Sequence, residues 1–425
     1  MKQVLVNIIK EWQNRTLPEI TARDIDLSIY LNLKIRKVIT ITGFRRVGKT
    51  FLLMDLARKV GQKNCVYINF EDERLSNDIS VLTDLTEAVE EYFGKRDVIF
   101  LLDEIQNIQG YSRWVRRIVE TTNHKIFMTG SSSKLSSNEL PTELRGRSIN
   151  VKVKSLNFNE FLRFKNIDIK NLTDSLKLNY LREYLKYGGF PEVVLADEGL
   201  KYLIIDEYYD TFVQRDLIER YKIRNEDVLK ALIDLLVNSK EYTITKLTNS
   251  LSGTLGKKIS KNTISRYVSY LESSFFLESL YLHNQSIKKR YQAPRKIYFI
   301  DSFFISRMSS SFSDNWGRLC EQKVYESLKS KKSDRPFDLF YFKNRYNHEV
   351  DFILRFGEKT EQLIQVSYIQ SDGVLPERET RALFSAGLEL KTNNLSIITW
   401  DKRGMFEKNG LRINLFTLLD WLITT

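Results

Sequence analysis

Gly43 and Gly48 frame the run GFRRVGKT (43–50), in which the second glycine passes directly into Lys49 and Thr50. Glycines at this spacing let successive backbone N–H groups converge on an anion. A lysine ammonium beside them neutralises it, and a threonine hydroxyl offers a hard oxygen to a divalent cation. That is the chemistry of holding a triphosphate. A complementary half ends the apolar run DVIFLLDEIQ (97–106), where Asp103 and Glu104 stand side by side. The first acid can hold a Mg2+ shell and the second can polarise an attacking water.

These groups need a scaffold, and the flanking residues supply one. KVITITG (37–43) is a β-branched strand that runs into the loop, and TFLLMDLARKV (50–60) is a helix leaving it. CVYINF (65–70), KIFMTGSSS (125–133) and INVKVKSL (149–156) add strands, with helical patterns between them. Alternation of this kind predicts a parallel sheet with the loop and both acids at its carboxyl edge. The expected nucleotide contacts are Gly43, Arg45, Arg46, Val47, Gly48, Lys49, Thr50 and Phe51, with Thr50 and Asp103 on the metal and Lys49 and Glu104 in catalysis. Arg45 and Arg46 have three possible fates: phosphate charge, a neighbouring subunit or solvent. Thr129 and Ser131 end their strand with hydroxyls that either meet the attacking water or γ-phosphate, or cap the next helix; Ser131 is counted with the catalytic candidates. No Asn/Thr-Lys-x-Asp run that would read guanine follows the sheet, so ATP is the expected nucleotide.

The chain has 425 residues, enough for about three domains. Its 42% apolar and 28% charged residues are those of an ordinary globular protein. No apolar run approaches the ~20 residues that span a bilayer, and the N-terminus lacks the core of a secretory signal. Leu5, Ile8, Ile9 and Trp12 instead fit one face of a short packing helix. Two cysteines, Cys65 and Cys320, support neither a disulfide framework nor a Cys-based zinc site. A cytoplasmic protein is expected.

Of the net charge of +12, much is concentrated in residues 240–300, where eleven Lys or Arg face three Glu. Such a concentration is the footprint of a nucleic-acid binder or, more simply, a solvated face. TITKLTNSLS and SKNTISRYVSYLESS predict two helices, the second with Ile264, Tyr267, Val268 and Leu271 on one side and Lys261, Ser265, Arg266 and Ser269 on the other. Two strand-like runs around QSIKKRYQAP then complete a winged helix with a basic hairpin. Lys257, Lys258, Lys261, Arg266, Lys288, Lys289 and Arg290 are its candidate DNA contacts. The preceding stretch, 160–237, reads as helices and as a lid over the nucleotide.

GFRRVGKT, LLDEIQ, MTGSSS with ELRGR (143–147), and YGGFPEVV (187–194) together resemble the archaeal and bacterial AAA-type ATPases that carry a restriction-endonuclease-like domain at their C-terminus. The resemblance implies that Gly188, Gly189 and Pro191 touch the adenine. Arg147 becomes a candidate arginine finger acting across an interface, and Arg215 a sensor on the lid. In the last 120 residues, the order helix, strand, strand, strand, helix, strand resembles the nuclease-like core. Active members of that group bind Mg2+ through an Asp on one strand and a Glu on the next, with a Lys two residues later. Here Asp351 fits the first position and Glu321 the helix acid, but Gln365 and Ser367 occupy the other two. Gln365 is neutral and Ser367 brings no cation or base, so cleavage is not expected.

The expected fold is α/β. An N-terminal packing segment (1–30) precedes a P-loop NTPase parallel sheet of AAA type (31–160). A helical lid (161–237), a winged helix (238–300) and a degenerate restriction-endonuclease-like domain (301–425) follow. The expected function is ATP hydrolysis with Mg2+, coupled to DNA or a DNA-associated partner, in a possible homo-oligomer and without a membrane. A slow nucleotide-gated switch acting on a protein partner and an ATP-dependent nuclease are the alternatives.

Overall fold

Five short runs rich in Val, Ile and Phe form β1 (Val38–Thr42), β2 (Cys65–Asn69), β3 (Ile99–Asp103), β4 (Lys125–Gly130) and β5 (Ser148–Lys152). They make one parallel sheet in the order β2-β3-β4-β1-β5. The structure, a computed structural model, describes residues 1–130, 144–309, 315–331, 336–370, 373–408 and 410–424. Ser131 lies outside them.

β1 is buried at all five positions, as a strand covered on both faces must be. Helices Lys49–Val60, Ser80–Phe93 and Tyr111–Thr121 lie along the connections. The helix Lys2–Asn14 buries Leu5, Val6, Ile8, Ile9 and Trp12, and its aliphatic residues join a core containing Val66, Ile68, Leu82 and Phe100. The i, i+3, i+4, i+7 spacing of 5, 8, 9 and 12 is what puts these side chains on one face. Full burial of each such side chain is worth about 1.5–3 kcal/mol, enough to hold the strands in register. That register pairs Asn69 with Asp103, Leu102 with Met128, and Ile41 with Thr129. The carboxyl ends of β1 to β4 therefore lie level, with the glycine loop and the acid pair on one edge.

Residues 1–154 with 273–275 form one unit, and 155–272 with 276–425 a second. The second begins with helices Phe158–Phe164, Asp174–Tyr187, Pro191–Leu195, Glu198–Thr211 and Glu226–Val237. Within the stretch expected to be helical, the segment Phe212–Glu219, which carries Arg215, widens to π-helical bonding. Helices Ile244–Thr254 and Lys261–Ser273 follow, and β6 (Glu241–Tyr242), β7 (Leu277–Leu280) and β8 (Arg295–Phe299) form an antiparallel sheet in the order β6-β8-β7. Ile264, Tyr267, Val268 and Leu271 are buried on the second of these helices, and Lys261, Ser265, Arg266 and Ser269 are exposed.

The two runs of the expected basic hairpin do pair, β7 antiparallel with β8, but its tip is corrected here. Between β7 and β8 the chain forms the helix Ile287–Gln292, which carries Lys288, Lys289 and Arg290. Ser286 caps it by accepting a hydrogen bond from the Lys289 N–H, and a serine side chain in that position favours a helical start over a hairpin tip.

β9 (Asp338–Lys343), β10 (Glu349–Phe356), β11 (Lys359–Ser367), β12 (Leu395–Thr399), β13 (Gly404–Lys408) and β14 (Leu411–Thr417) form a mixed sheet ordered β13-β14-β12-β11-β10-β9. Helix Trp316–Lys331 precedes it, and helix Glu377–Leu390 connects β11 to β12. The sequence reading closed this sheet at β12, whereas β14 extends it in parallel with β12 and β13 pairs antiparallel beyond.

Candidate functional site

The loop after β1 is shaped by its glycines. A Cβ at Gly43 would stand 2.2 Å from the Val153 carbonyl oxygen, so only glycine lets the loop pass the residue following β5. Gly48 has φ 97° and caps the helix from Lys49, a left-handed conformation that costs an L side chain ~1 kcal/mol or more. Arg46 accepts that conformation at φ 65° without glycine's freedom. It is exposed, Arg45 is half-buried, Val47 is buried, and Phe51 is exposed. Lys49 is buried, and its Nζ donates to the carbonyls of Gly43 (3.2 Å) and Phe44 (3.0 Å). The ammonium is thus held over the loop that the phosphates would enter.

At the end of β3, Asp103 is almost fully buried and surrounded by hydroxyls. Thr50 Oγ1 donates to its Oδ2 at 2.8 Å and Tyr67 Oη to the same oxygen at 2.9 Å, while Thr129 Oγ1 donates to Oδ1. Burial pushes the carboxyl above its ordinary value, the Glu104 charge adds to this, and the three hydroxyl donors pull it back. Burial and the neighbouring Asp103 charge raise the Tyr67 phenol as well, which keeps it a donor. A threonine hydroxyl bonded to a carboxylate is the hard-oxygen pair that Mg2+ takes. With Lys49 alongside, the residues present fit a magnesium–nucleotide.

Glu104 occupies a left-handed turn, φ 52° and ψ 42°. A non-glycine residue held there stores about 1–3 kcal/mol of strain, a feature that clusters at working sites. Its backbone N–H donates to Thr129 Oγ1 at 3.1 Å, and its carboxylate accepts from Gln106 Nε2. Thr129 therefore bridges the two acids.

Three residues in this arrangement were missed from sequence: Tyr67, Gln106 and Arg23. Arg23 donates to the Val47 carbonyl (2.9 Å) and to that of Lys154 (3.1 Å), clamping the loop. Tyr67 is itself packed against Trp12, with ring centroids 4.9 Å apart. Arg147 is not part of the site in this chain. Its carbonyl accepts from the Val38 N–H, which puts it at the amino end of β1, opposite the loop, and its Nε donates to Glu120 at 2.8 Å.

In the second unit, Gly188 and Gly189 have internal packing reasons. A Cβ at Gly188, where φ is +71°, would fall 1.5 Å from Asp301 Oδ1, and one at Gly189 would meet the Leu156 carbonyl at 2.3 Å. Asp301 Oδ2 accepts from the Gly189 N–H at 2.8 Å. Pro191 opens the next short helix. Among the basic candidates, Lys258, Lys261, Arg266, Lys288 and Lys289 are exposed. Lys257 is exposed too, but is paired with Asp227. Arg290 turns to the Asn284 carbonyl at 3.0 Å and lies over the Phe340 ring. Glu321 and Asp351 do come together, both bonded to Lys296. Gln365 Oε1 accepts from the Asp351 N–H at 3.3 Å, and Ser367 is buried.

No helix among the described residues is long and apolar enough to cross a membrane. Residues 35–162 match a family model described as an AAA domain, and 178–315 match a domain of unknown function, DUF8612. Uncharacterized protein MJ1544 of Methanocaldococcus jannaschii is 39% identical over 91% of this chain and 86% of its own length. An uncharacterized protein of Haemophilus influenzae is 29% identical over 90% of this chain and 93% of its own. Among solved structures, AMPPCP-bound DnaA from Aquifex aeolicus aligns at 18% identity over 62% of this chain and 91% of that one, with a TM-score of 0.30, too low to bear on the fold. With the loop, the caged aspartate and the parallel sheet in one match, the chain belongs to the family of M. jannaschii MJ1544 and carries an AAA-type P-loop ATPase domain.

Proposed function

We propose that this protein binds ATP with Mg2+, hydrolyses it, and passes its nucleotide state to a DNA-contacting basic segment. The observation that carries the reading is the Asp103 carboxylate, buried and held by three hydroxyls, one of them from the loop's own Thr50. Thr50 and Asp103 would hold the metal, which when bound supplies charge neutralisation at the β- and γ-phosphate oxygens. Lys49 exchanges its carbonyl partners for phosphate oxygens, and the backbone N–H groups of 45–51 orient the chain of phosphates. Glu104 accepts a proton from the attacking water on its carboxylate, held in place by Gln106 and Thr129.

The DNA part rests on a helix buried on one side and basic on the other, together with a three-stranded antiparallel sheet, an arrangement compatible with a winged helix. Lys258, Lys261, Arg266, Lys288 and Lys289 would meet phosphates. In a homo-oligomer, Arg147 would have to leave Glu120 to reach a neighbouring subunit's nucleotide.

ATP turnover with and without duplex DNA, at several salt concentrations, tests the coupling. Turnover should rise severalfold with DNA, and log affinity should fall with log salt at a slope near −4.5, the value for about five phosphate contacts. Turnover indifferent to DNA with a flat salt dependence would remove the DNA part and leave the hydrolytic part standing.

A further inference from the structure

Glu321, Glu349 and Asp351 converge on a single side chain that the sequence reading left out. Lys296 Nζ lies 2.6 Å from Asp351 Oδ1, 2.9 Å from Glu349 Oε1 and 3.1 Å from Glu321 Oε1. Lys296 is 6% exposed and Asp351 5%. A lysine is rarely buried this far unless it is paired, and an ammonium can donate three hydrogen bonds. Here the ammonium donates to Glu321 and Asp351 and is ion-paired with Glu349.

We propose that the Lys296 ammonium stands in for a divalent cation among these carboxylates, so that strand β8 is fastened to helix Trp316–Lys331 and strand β10 without a metal. Its position in the fold supports this. β8 is the central strand of the β6-β8-β7 sheet, with Lys296 opposite Glu241 on one side and Leu280 on the other. Two residues on, and so on the same face of the strand, Tyr298 Oη donates to Glu321 Oε1 at 2.6 Å and its ring stacks on Tyr325 at 3.8 Å. Gln322 then satisfies both backbone groups of Phe299, accepting from its N–H at 3.0 Å and donating to its carbonyl at 2.7 Å. Residues 296, 298 and 299 are thus all gripped by one helix.

The second oxygens of Asp351 and Glu349 are also committed. Asp351 Oδ2 accepts from the Val366 N–H at 2.8 Å, and Glu349 is shared with Lys343 at 3.7 Å. Burial pushes the Asp351 carboxyl up to about 7 against the pull of Lys296, and the Glu321 charge adds to the push. Burial likewise opposes the Lys296 charge, yet Asp351, Glu321 and Glu349 together hold it well above its ordinary value. Among the described residues, no group of three or more His, Cys, Asp or Glu is arranged to hold a metal ion. In this cluster a lysine takes the place of such an ion. The C-terminal sheet then acts as an anchor that fixes the basic segment, a positional role independent of cleavage.

Thermal unfolding of the full chain tests this with Lys296→Met, with Lys296→Met/Glu321→Gln/Asp351→Asn, and with Asp351→Asn. Any shift in melting temperature between millimolar Mn2+ and EDTA should be the same for wild type and Asp351→Asn. Lys296→Met should melt about 10 °C lower or fail to fold, because it strands buried carboxylates. The triple variant should fold and recover at least half of that loss. The proposal is overturned by a wild-type Mn2+ shift that Asp351→Asn abolishes. Wild-type melting of Lys296→Met, or a triple variant no better than the single one, would overturn it equally.

Discussion

Tyr67 helps to orient the carboxylate proposed to hold the metal, because its hydroxyl shares Asp103 Oδ2 with Thr50. Groups that orient a metal ligand from behind typically change affinity or activity 10–100-fold when removed. Tyr67→Phe should therefore raise the Mg2+ concentration for half-maximal ATP turnover about tenfold, while nucleotide binding without metal stays as in wild type; a titration with an unchanged midpoint would make Tyr67 a packing residue. The sequence disclosed Lys49, Thr50, Asp103 and Glu104 because their spacing is local and few other uses demand it. Tyr67 and Arg23 were hidden for the opposite reason. Their partners lie 36 and 24 positions away, and nothing in CVYINF distinguishes a tyrosine that donates to an acid from one that fills a core until the β2–β3 register is known.

At the scale of elements, the parallel strands and the faces of helices Lys2–Asn14 and Lys261–Ser273 were legible, since burial on one or both sides leaves a period in the residues. The helix between β7 and β8 was not, because six residues are too few for a period and only the Ser286 cap marks its start. β13 and β14 were passed over although LRINLFT alternates buried with less buried positions as an edge pair should. The resemblance gave the glycine pair after Tyr187 a role at the base, whereas its tight packing against Asp301 depends on a residue more than a hundred positions away. Gly188→Ala combines that overlap with a positive φ and should lower the melting temperature by about 5–10 °C. Gly256→Ala, at φ +60° with open space around its Cβ, should cost only a few degrees. Equal losses at both positions would show that backbone conformation, and not the Asp301 contact, makes glycine necessary.

Across the whole molecule, charge alone was a coarse guide to the basic segment. The eleven cations of residues 240–300 divide by what each one meets. Lys296 is held inside a carboxylate cluster, the exposed Lys257 is paired with Asp227, Arg295 lies over the Tyr281 ring, and five further expected contacts are exposed. The energy source assigned to this machinery is a triphosphate cleaved at the edge of the first sheet. ATP turnover by wild type, Lys49→Ala and Glu104→Gln, measured with Mg2+ alongside bound nucleotide, tests that assignment most directly. Wild type should hydrolyse ATP, Glu104→Gln should retain it with turnover reduced at least a hundredfold, and Lys49→Ala should fail to hold it. Equal turnover in all three proteins, or a folded wild type that neither binds nor cleaves ATP, would contradict the account.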